Sequence, residues 1–85
     1  MEREIIIEKV NHFLIEDIEI EENLIEPDAL LTKDLGIDSL DVVDIVVIIE
    51  QVFGVKIKGE ELKDVKTLGS FYDFVEQKIK TKKAN

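Results

Sequence analysis

The chain has 85 residues, of which 45% are apolar and none is cysteine. This length allows a single core that needs no metal or disulfide bond, and the absence of cysteine excludes thiol catalysis and thiolate metal sites within the chain itself. Twenty acidic residues against 11 basic ones give a net charge of −9, which argues against nucleic acid as a partner and favours partners with basic surfaces. We therefore expect one domain over residues 1–85.

The N-terminal residues are charged and interrupted, unlike a signal peptide, and no apolar run approaches the roughly 18 residues of a membrane span. We therefore expect a cytoplasmic protein that does not insert into a membrane. Lysines are frequent near the other end of the chain, where they suit the last turns of a helix better than a binding site. They are Lys78, Lys80, Lys82 and Lys83.

The first predicted helix runs from Glu2 to about Asp17. Its apolar residues recur at steps of three and four and form one stripe, made of Ile6, Val10, Phe13 and Leu14. The next segment, residues 18–37, contains Pro27 and has no helical period. A loop of this length fits a compact domain only if its apolar residues pack back onto the helices, which we expect of Leu24, Ile25, Leu30, Leu31 and Leu35. A strand at residues 18–21, which would have no obvious partner strand, is the less favoured alternative.

The second predicted helix runs from Ser39 to about Phe53 and is stopped by Gly54. Asp38 is expected to act as its N-cap, with Asp41 three residues later in the position of a capping box. The many β-branched residues also allow a buried strand. The length of 15 residues between a cap and a glycine favours the helix.

A short helix is predicted at residues 60–64, introduced by Gly59, and a last helix begins with Thr67 as N-cap. The apolar residues of the last helix again share one face: Leu68, Phe71, Tyr72, Phe74, Val75 and Ile79. The predicted fold class is therefore all-α. It is a small four-helix bundle, with three main helices, one short helix and a long loop between the first two.

Two faces of the second helix are apolar. At 100° per residue, one arc is predicted to face the core and contains Val42, Ile45, Val46, Ile49, Val52 and Phe53. Leu40, Val43 and Val47 lie on another arc beside Ser39, with Asp44, Glu50 and Gln51 at its border. An exposed apolar strip with an acidic border is typical of a docking surface, and scattered surface valines of no consequence are the less favoured alternative.

Ser39 is predicted to present its hydroxyl from the first turn of the second helix. The single histidine, His12, belongs to the first helix and no motif links it to Ser39, so Ser39 is not a self-sufficient catalytic nucleophile. Any covalent modification of Ser39 therefore needs an outside enzyme. A phosphate there would add negative charge among Asp38, Asp41 and Asp44 without a nearby arginine. The motif could also be only a helix cap.

The segment Asp-Leu-Gly-Ile-Asp-Ser-Leu-Asp, residues 34–41, resembles the phosphopantetheine attachment site of acyl carrier proteins, and the similarity continues over nearly the whole chain. The resemblance implies a monomeric carrier, not an enzyme. In it, Ser39 is esterified with 4′-phosphopantetheine from coenzyme A by a separate holo-synthase, a phosphopantetheinyl transferase. Asp38 is similar to the acidic residue that precedes the family's serine. The residues that match the family's recognition helix are Leu40, Asp41, Asp44, Val47 and Glu50.

The resemblance also implies a cargo and partners. Acyl intermediates would be held as thioesters and passed between acyl-loading, ketosynthase-type and acyltransferase enzymes of fatty-acid or related lipid and polyketide synthesis. The candidate acyl pocket lies between the helices and is lined by Ile49, Phe53, Ile57, Leu62, Val65 and Leu68. Ile48, Leu62 and the lysines around the short helix (Lys56, Lys58, Lys63 and Lys66) depart from the family pattern. They leave open whether the carrier is a housekeeping or a specialised one.

Three alternatives stay open. An aminoacyl carrier of the D-alanyl type would differ in the enzyme that loads it, although an acidic residue before the serine favours acyl cargo. An unmodified acidic helical adaptor would use Ser39 only as part of a cap. Calcium binding is the weakest, because the spacing of Asp34, Asp38, Asp41 and Asp44 does not make an EF-hand loop.

Overall fold

A computed structural model describes residues 2–84, with side chains described up to residue 82. The helices are α1 (Arg3–Glu16), α2 (Ser39–Phe53), α3 (Gly59–Leu62) and α4 (Leu68–Ala84), and a 3₁₀ turn (Glu22–Leu24) lies in the loop after α1. No strand forms within these residues, and the all-α prediction is confirmed. Lys83 belongs to α4, but its side chain lies outside the described part. Every helix of residues 2–84 is too short or too polar to cross a membrane.

The core is built where α1 packs against α4 and α2 packs against α3. The predicted stripe of α1 is confirmed, because Ile6, Val10, Phe13 and Leu14 are all buried. The ring of Phe13 meets that of Phe71 edge to face, with the centroids 6.5 Å apart. Such a pair adds about 0.5–1.5 kcal/mol to the burial of the two rings.

The long loop packs onto the core through part of its apolar residues. Leu31 and Leu35 are buried as expected, and the N–H of Leu31 donates to Lys66 O at 2.9 Å. Ile25 is partly buried. The expectation was wrong for Leu24 and Leu30, which are 39% and 37% exposed. Leu24 ends a 3₁₀ turn on the surface, and Leu30 forms an isolated bridge with Thr67 that directs its neighbour Leu31 into the core.

The bounds of α2 agree with the prediction, and Gly54 ends the helix with a φ of 69°. Ile45 and Ile49 are buried, whereas Val42, Val46 and Phe53 pack against the core without being fully covered. Val52 was predicted to face the core but is 38% exposed. It lies in the last turn of α2, where the helix borders an open groove against α1. Ile48, not included in the predicted core face, is partly buried.

The short helix α3 begins one residue earlier and ends two residues earlier than predicted. Around Leu62 the backbone hydrogen bonds join residues three positions apart, from Lys63 N–H to Glu60 O and from Val65 N–H to Leu62 O, so the α-helical pattern stops. The N-cap of α4 is confirmed, since the N–H of Ser70 donates to Thr67 Oγ1 at 3.1 Å.

Charged side chains of α4 contact α1, α3 and the end of α2. Arg3 of α1 pairs with Asp73 and Glu76, and Glu61 Oε2 of α3 lies 2.6 Å from Lys78 Nζ. The ammonium of Lys82 donates to the carbonyl of Gly54 at the end of α2, where the partial negative charge of the helix favours a cation.

Candidate functional site

The first turn of α2 is fixed by a reciprocal capping box. Asp38 Oδ1 accepts hydrogen bonds from the backbone N–H groups of Leu40 and Asp41, each at 3.0 Å. Asp41 Oδ2 accepts one in return from the N–H of Asp38 at 3.2 Å. This arrangement places Ser39 at the first helical position, where its side chain is exposed. The predicted capping box is confirmed.

Residues 34–37, which precede the cap, are anchored by two buried side chains and by a hydrogen bond to the backbone. Leu35 and Ile37 are buried on either side of Gly36, whose φ of 71° is a left-handed conformation that glycine adopts without strain. The carboxylate of Asp34 accepts a hydrogen bond from the N–H of Leu30 at 2.8 Å. Buried anchors therefore hold the backbone up to residue 37, and the chain reaches the surface at Asp38.

The apolar strip beside Ser39 is exposed as predicted. Leu40, Val43 and Val47 expose 76%, 62% and 49% of their surface. Asp44 and Glu50 are exposed on the same helix, and Asp41 is half-buried. The exposed surface of α2 therefore combines aliphatic side chains with carboxylates and carries no lysine or arginine. We call Leu40, Val43 and Val47 the α2 strip.

An open cleft of about 680 Å³ lies beside Ser39, between α2 and the α3 region, and shares Val43 with the α2 strip. Ser39 and Asp38 line its edge, and apolar residues line much of the rest: Leu30, Ile37, Val42, Val43, Leu62 and Val65. Below it, a cavity of about 50 Å³ shares Val42, Leu62 and Val65 with the cleft and reaches Ile45 and Phe71. The exposed hydroxyl thus stands beside an apolar path into the core.

Two of the residues predicted for an acyl pocket, Leu62 and Val65, line this cleft. Ile49, Ile57 and Leu68 are buried and Phe53 is partly buried. The acyl pocket predicted from the sequence did not include Val42, Ile37 or Leu30, which also line the cleft. Val42 carried a signal, since it follows Ser39 by three residues and so lies on a neighbouring face of the helix.

The site holds no histidine next to the serine. His12 lines a separate groove between α1 and the end of α2, together with Ile5 and Val52. In the described part of the chain, His, Asp and Glu side chains do not gather in groups of three or more that could hold a metal ion. The carboxylates of Asp34, Asp38 and Asp41 instead accept hydrogen bonds from the backbone.

Residues 8–75 match the sequence profile of the family described as "Phosphopantetheine attachment site". The chain is also 38% identical over 82 residues to an acyl carrier protein of Coprothermobacter proteolyticus, covering 96% of this chain and all of that protein. It is 38% identical over 77 residues to an acyl carrier protein of Thermotoga maritima, covering 91% of this chain and 95% of that one. The chain belongs to the acyl carrier protein family. The members of this family are carriers and not enzymes, and their prosthetic group is 4′-phosphopantetheine.

The first turn of α2 fits such a group. An acyl carrier needs a hydroxyl that another enzyme can reach. Ser39 is exposed at the N-terminal end of α2, where Asp38 and Asp41 hold the backbone. The adjoining cleft is open to solvent and leaves room for a chain bound at its edge. When bound, the group supplies the thiol that this cysteine-free sequence lacks.

Proposed function

We propose that the chain carries acyl intermediates as thioesters on a phosphopantetheine arm esterified to Ser39 Oγ. It would deliver them to enzymes of fatty-acid or related lipid and polyketide synthesis. The observation that carries this proposal is an exposed serine at the first position of α2, held by a capping box at the edge of an apolar cleft. Residues 1–85 would form the single carrier domain. The cytoplasmic location and the monomeric state stay predictions.

Asp38 would position the attachment site without taking part in bond formation. Its carboxylate is engaged by the N–H groups of Leu40 and Asp41 and so fixes the backbone on both sides of Ser39. A modifying enzyme would therefore meet the hydroxyl in one orientation. The partner enzyme would supply the base, because no histidine of this chain is near the serine.

The α2 strip and the acidic residues around it would form the partner-binding face. Asp41, Asp44 and Glu50 would attract lysine and arginine side chains on the holo-synthase and on acyl-loading, ketosynthase-type and acyltransferase enzymes. The apolar contact area of Leu40, Val43 and Val47 is small, so each complex would be brief. Brief contacts suit a carrier that visits successive enzymes.

The cleft would shelter the acyl chain. Leu62 and Val65 line it, and the other predicted pocket residues, Ile49, Phe53, Ile57 and Leu68, lie in or against the core. Each methylene group that leaves water contributes about 0.8 kcal/mol. Comparison of the NMR chemical shifts of the holo and acyl forms tests this role. Shifts that change at Leu62 and Val65 would support it, and unchanged shifts at all six residues would contradict it.

The attachment itself is tested by incubating the protein with coenzyme A and a broad-specificity phosphopantetheinyl transferase and then measuring the intact mass. The chain has two serines, Ser39 and Ser70, and both are exposed. The wild type and Ser70→Ala are expected to gain one phosphopantetheine mass, and Ser39→Ala none. A wild type that gains no mass would overturn the proposed function.

A further inference from the structure

The cleft beside Ser39 has a basic wall. Lys33, Lys63 and Lys66 line it together with Ser39, and all three are exposed. We propose that these lysines bind the phosphate group of the phosphopantetheine arm and direct the arm across the cleft. This inference rests on the proposed attachment at Ser39, and it concerns residues outside the α2 strip.

Charge is divided between the two sides of Ser39. Asp41 and Asp44 lie on α2 outside the cleft lining, whereas Lys33, Lys63 and Lys66 line the cleft. Asp38 also lines the edge of the cleft, but its Oδ1 is engaged by two backbone N–H groups of the cap. A phosphodiester at Ser39 carries a negative charge in this divided field. Repulsion from Asp41 and Asp44 and attraction to the lysines act in the same direction, so the phosphate is drawn towards the cleft.

The helix N-terminus does not compete for this phosphate. Backbone N–H groups in the first turn of a helix commonly bind anions. Here the N–H groups of Leu40 and Asp41 already donate to Asp38 Oδ1 at 3.0 Å. The carboxylate of Asp38 thus fills the position that a phosphate takes elsewhere, which leaves the lysines as the available cations of the cleft.

The three lysines are placed for this role by the chain around them. The ammonium of Lys66 donates to the carbonyl of Lys63 at 3.1 Å, which holds it at the end of α3. Among the described residues, the ion pairs involve Arg3 and Lys78, so the lysines of the cleft are not paired with carboxylates. Lys33 belongs to the loop before α2, and this loop is joined to the segment of Lys66 by the hydrogen bond from Leu31 N–H to Lys66 O at 2.9 Å.

An arm held in this way passes over the apolar part of the cleft. Val42, Leu62 and Val65 line both the cleft and the small cavity beneath it. Binding of the phosphate at the basic wall would reduce the freedom of the arm before any cargo is attached. An acyl chain on its thiol would then start close to the entrance of the cavity.

The test compares the unmodified protein with the holo form, whose loading is first verified by intact mass. The measured quantities are the ¹³C and ¹H shifts of the lysine ε-methylene groups. Larger changes are expected at Lys33, Lys63 and Lys66 than at Lys56 and Lys58, two exposed lysines outside the cleft lining. The differences should shrink when NaCl rises from 0.1 to 1 M, because the screening length falls from about 10 to about 3 Å.

A variant provides the second readout. The triple substitution Lys33→Gln, Lys63→Gln and Lys66→Gln changes exposed side chains only, and thermal unfolding checks that it folds. In its holo form, ¹⁵N relaxation of the arm's amide groups should report greater mobility than in the wild type, whereas Lys56→Gln with Lys58→Gln should not. Equal shifts at all five lysines, or equal mobility in both variants, would overturn the inference. If loading itself fails, the mass shows it first, and the proposed function fails instead.

Discussion

Asp38 stabilises the attachment site through a single carboxylate oxygen that accepts two backbone N–H groups. We expect Asp38→Ala to lower the free energy of unfolding by about 1–2 kcal/mol, because the N-terminal N–H groups of α2 lose their acceptor. Asp38→Asn keeps an acceptor and should lose about half as much or less. Urea unfolding followed by circular dichroism measures both changes. Equal losses in the two variants would show that the cap is not what holds the turn.

The residues around Ser39 could be predicted from sequence because their interactions are local. The capping box joins residues that are three positions apart, and Gly54 ends α2 through its own backbone conformation. The contact of Lys82 with the carbonyl of Gly54 and the pair of Glu61 with Lys78 could not be predicted in the same way. They join residues 28 and 17 positions apart, so only the packing of the helices brings them together.

At the scale of the elements, α2 has one face in the core and one exposed strip. We expect Val47→Gln to change the free energy of unfolding by no more than about 0.5 kcal/mol, because Val47 is 49% exposed. The KM of the holo-synthase should nevertheless rise about fivefold, which corresponds to about 1 kcal/mol of lost apolar contact.

The matched control is Val52→Gln, on the same helix and 38% exposed, but bordering the groove against α1. Its KM should equal that of the wild type. A rise of the same size in both variants would mean that the α2 strip is not the docking face.

The short helix α3 is held to α4 by the pair of Glu61 and Lys78, whose charged atoms are 2.6 Å apart. The hydrogen bond from Lys78 holds the pKa of Glu61 below the 4.5 of a free glutamate. A lowered pKa in the folded state means that the stabilisation is present above pH 4.5 and is lost as the pH falls through the pKa of the folded state.

Glu61→Gln should therefore be less stable than the wild type at pH 6, and the difference should disappear towards pH 3. Thermal unfolding of both proteins at the two pH values measures it. A difference that stays the same or grows on acidification would show that the charge of Glu61 does not hold α3.

The helix order, the bounds of α2 and the core stripe of α1 were predicted from apolar periodicity and from residues that cap or stop helices. The bounds of α3 and the cleft were not. After Leu62, hydrogen bonds between residues three positions apart replace those of the α-helix, and apolar periodicity does not distinguish the two patterns. The cleft is formed by Leu30, Val42 and Leu62 from three separate segments, so it exists only in the packed chain. Val52 was misplaced for the same reason, because it lines a groove between α1 and the last turn of α2 that also forms only in the packed chain.

At the scale of the whole molecule, a net charge of −9 is spread over a body of 35 × 25 × 20 Å. Repulsion among carboxylates opposes the compact state, and salt screens it. We expect the Tm at pH 7 to rise as NaCl increases from about 0.02 to 0.3 M, where the screening length drops below about 10 Å. Near pH 4.5, the isoelectric point of the sequence, the same addition should have much less effect. A Tm that falls with salt at pH 7 would show that attractive ion pairs outweigh the repulsion.

The central claim is that the arm is attached to the oxygen of Ser39, and peptide mass spectrometry after loading tests it most directly. Trypsin cleaves after Lys33 and Lys56, and in the peptide of residues 34–56 Ser39 is the single side chain with a hydroxyl. The peptide of residues 67–78 carries Thr67, Ser70 and Tyr72 and serves as the internal control. We predict one phosphopantetheine on the first peptide and none on the second. An unmodified first peptide from protein exposed to coenzyme A and an active transferase would contradict the claim.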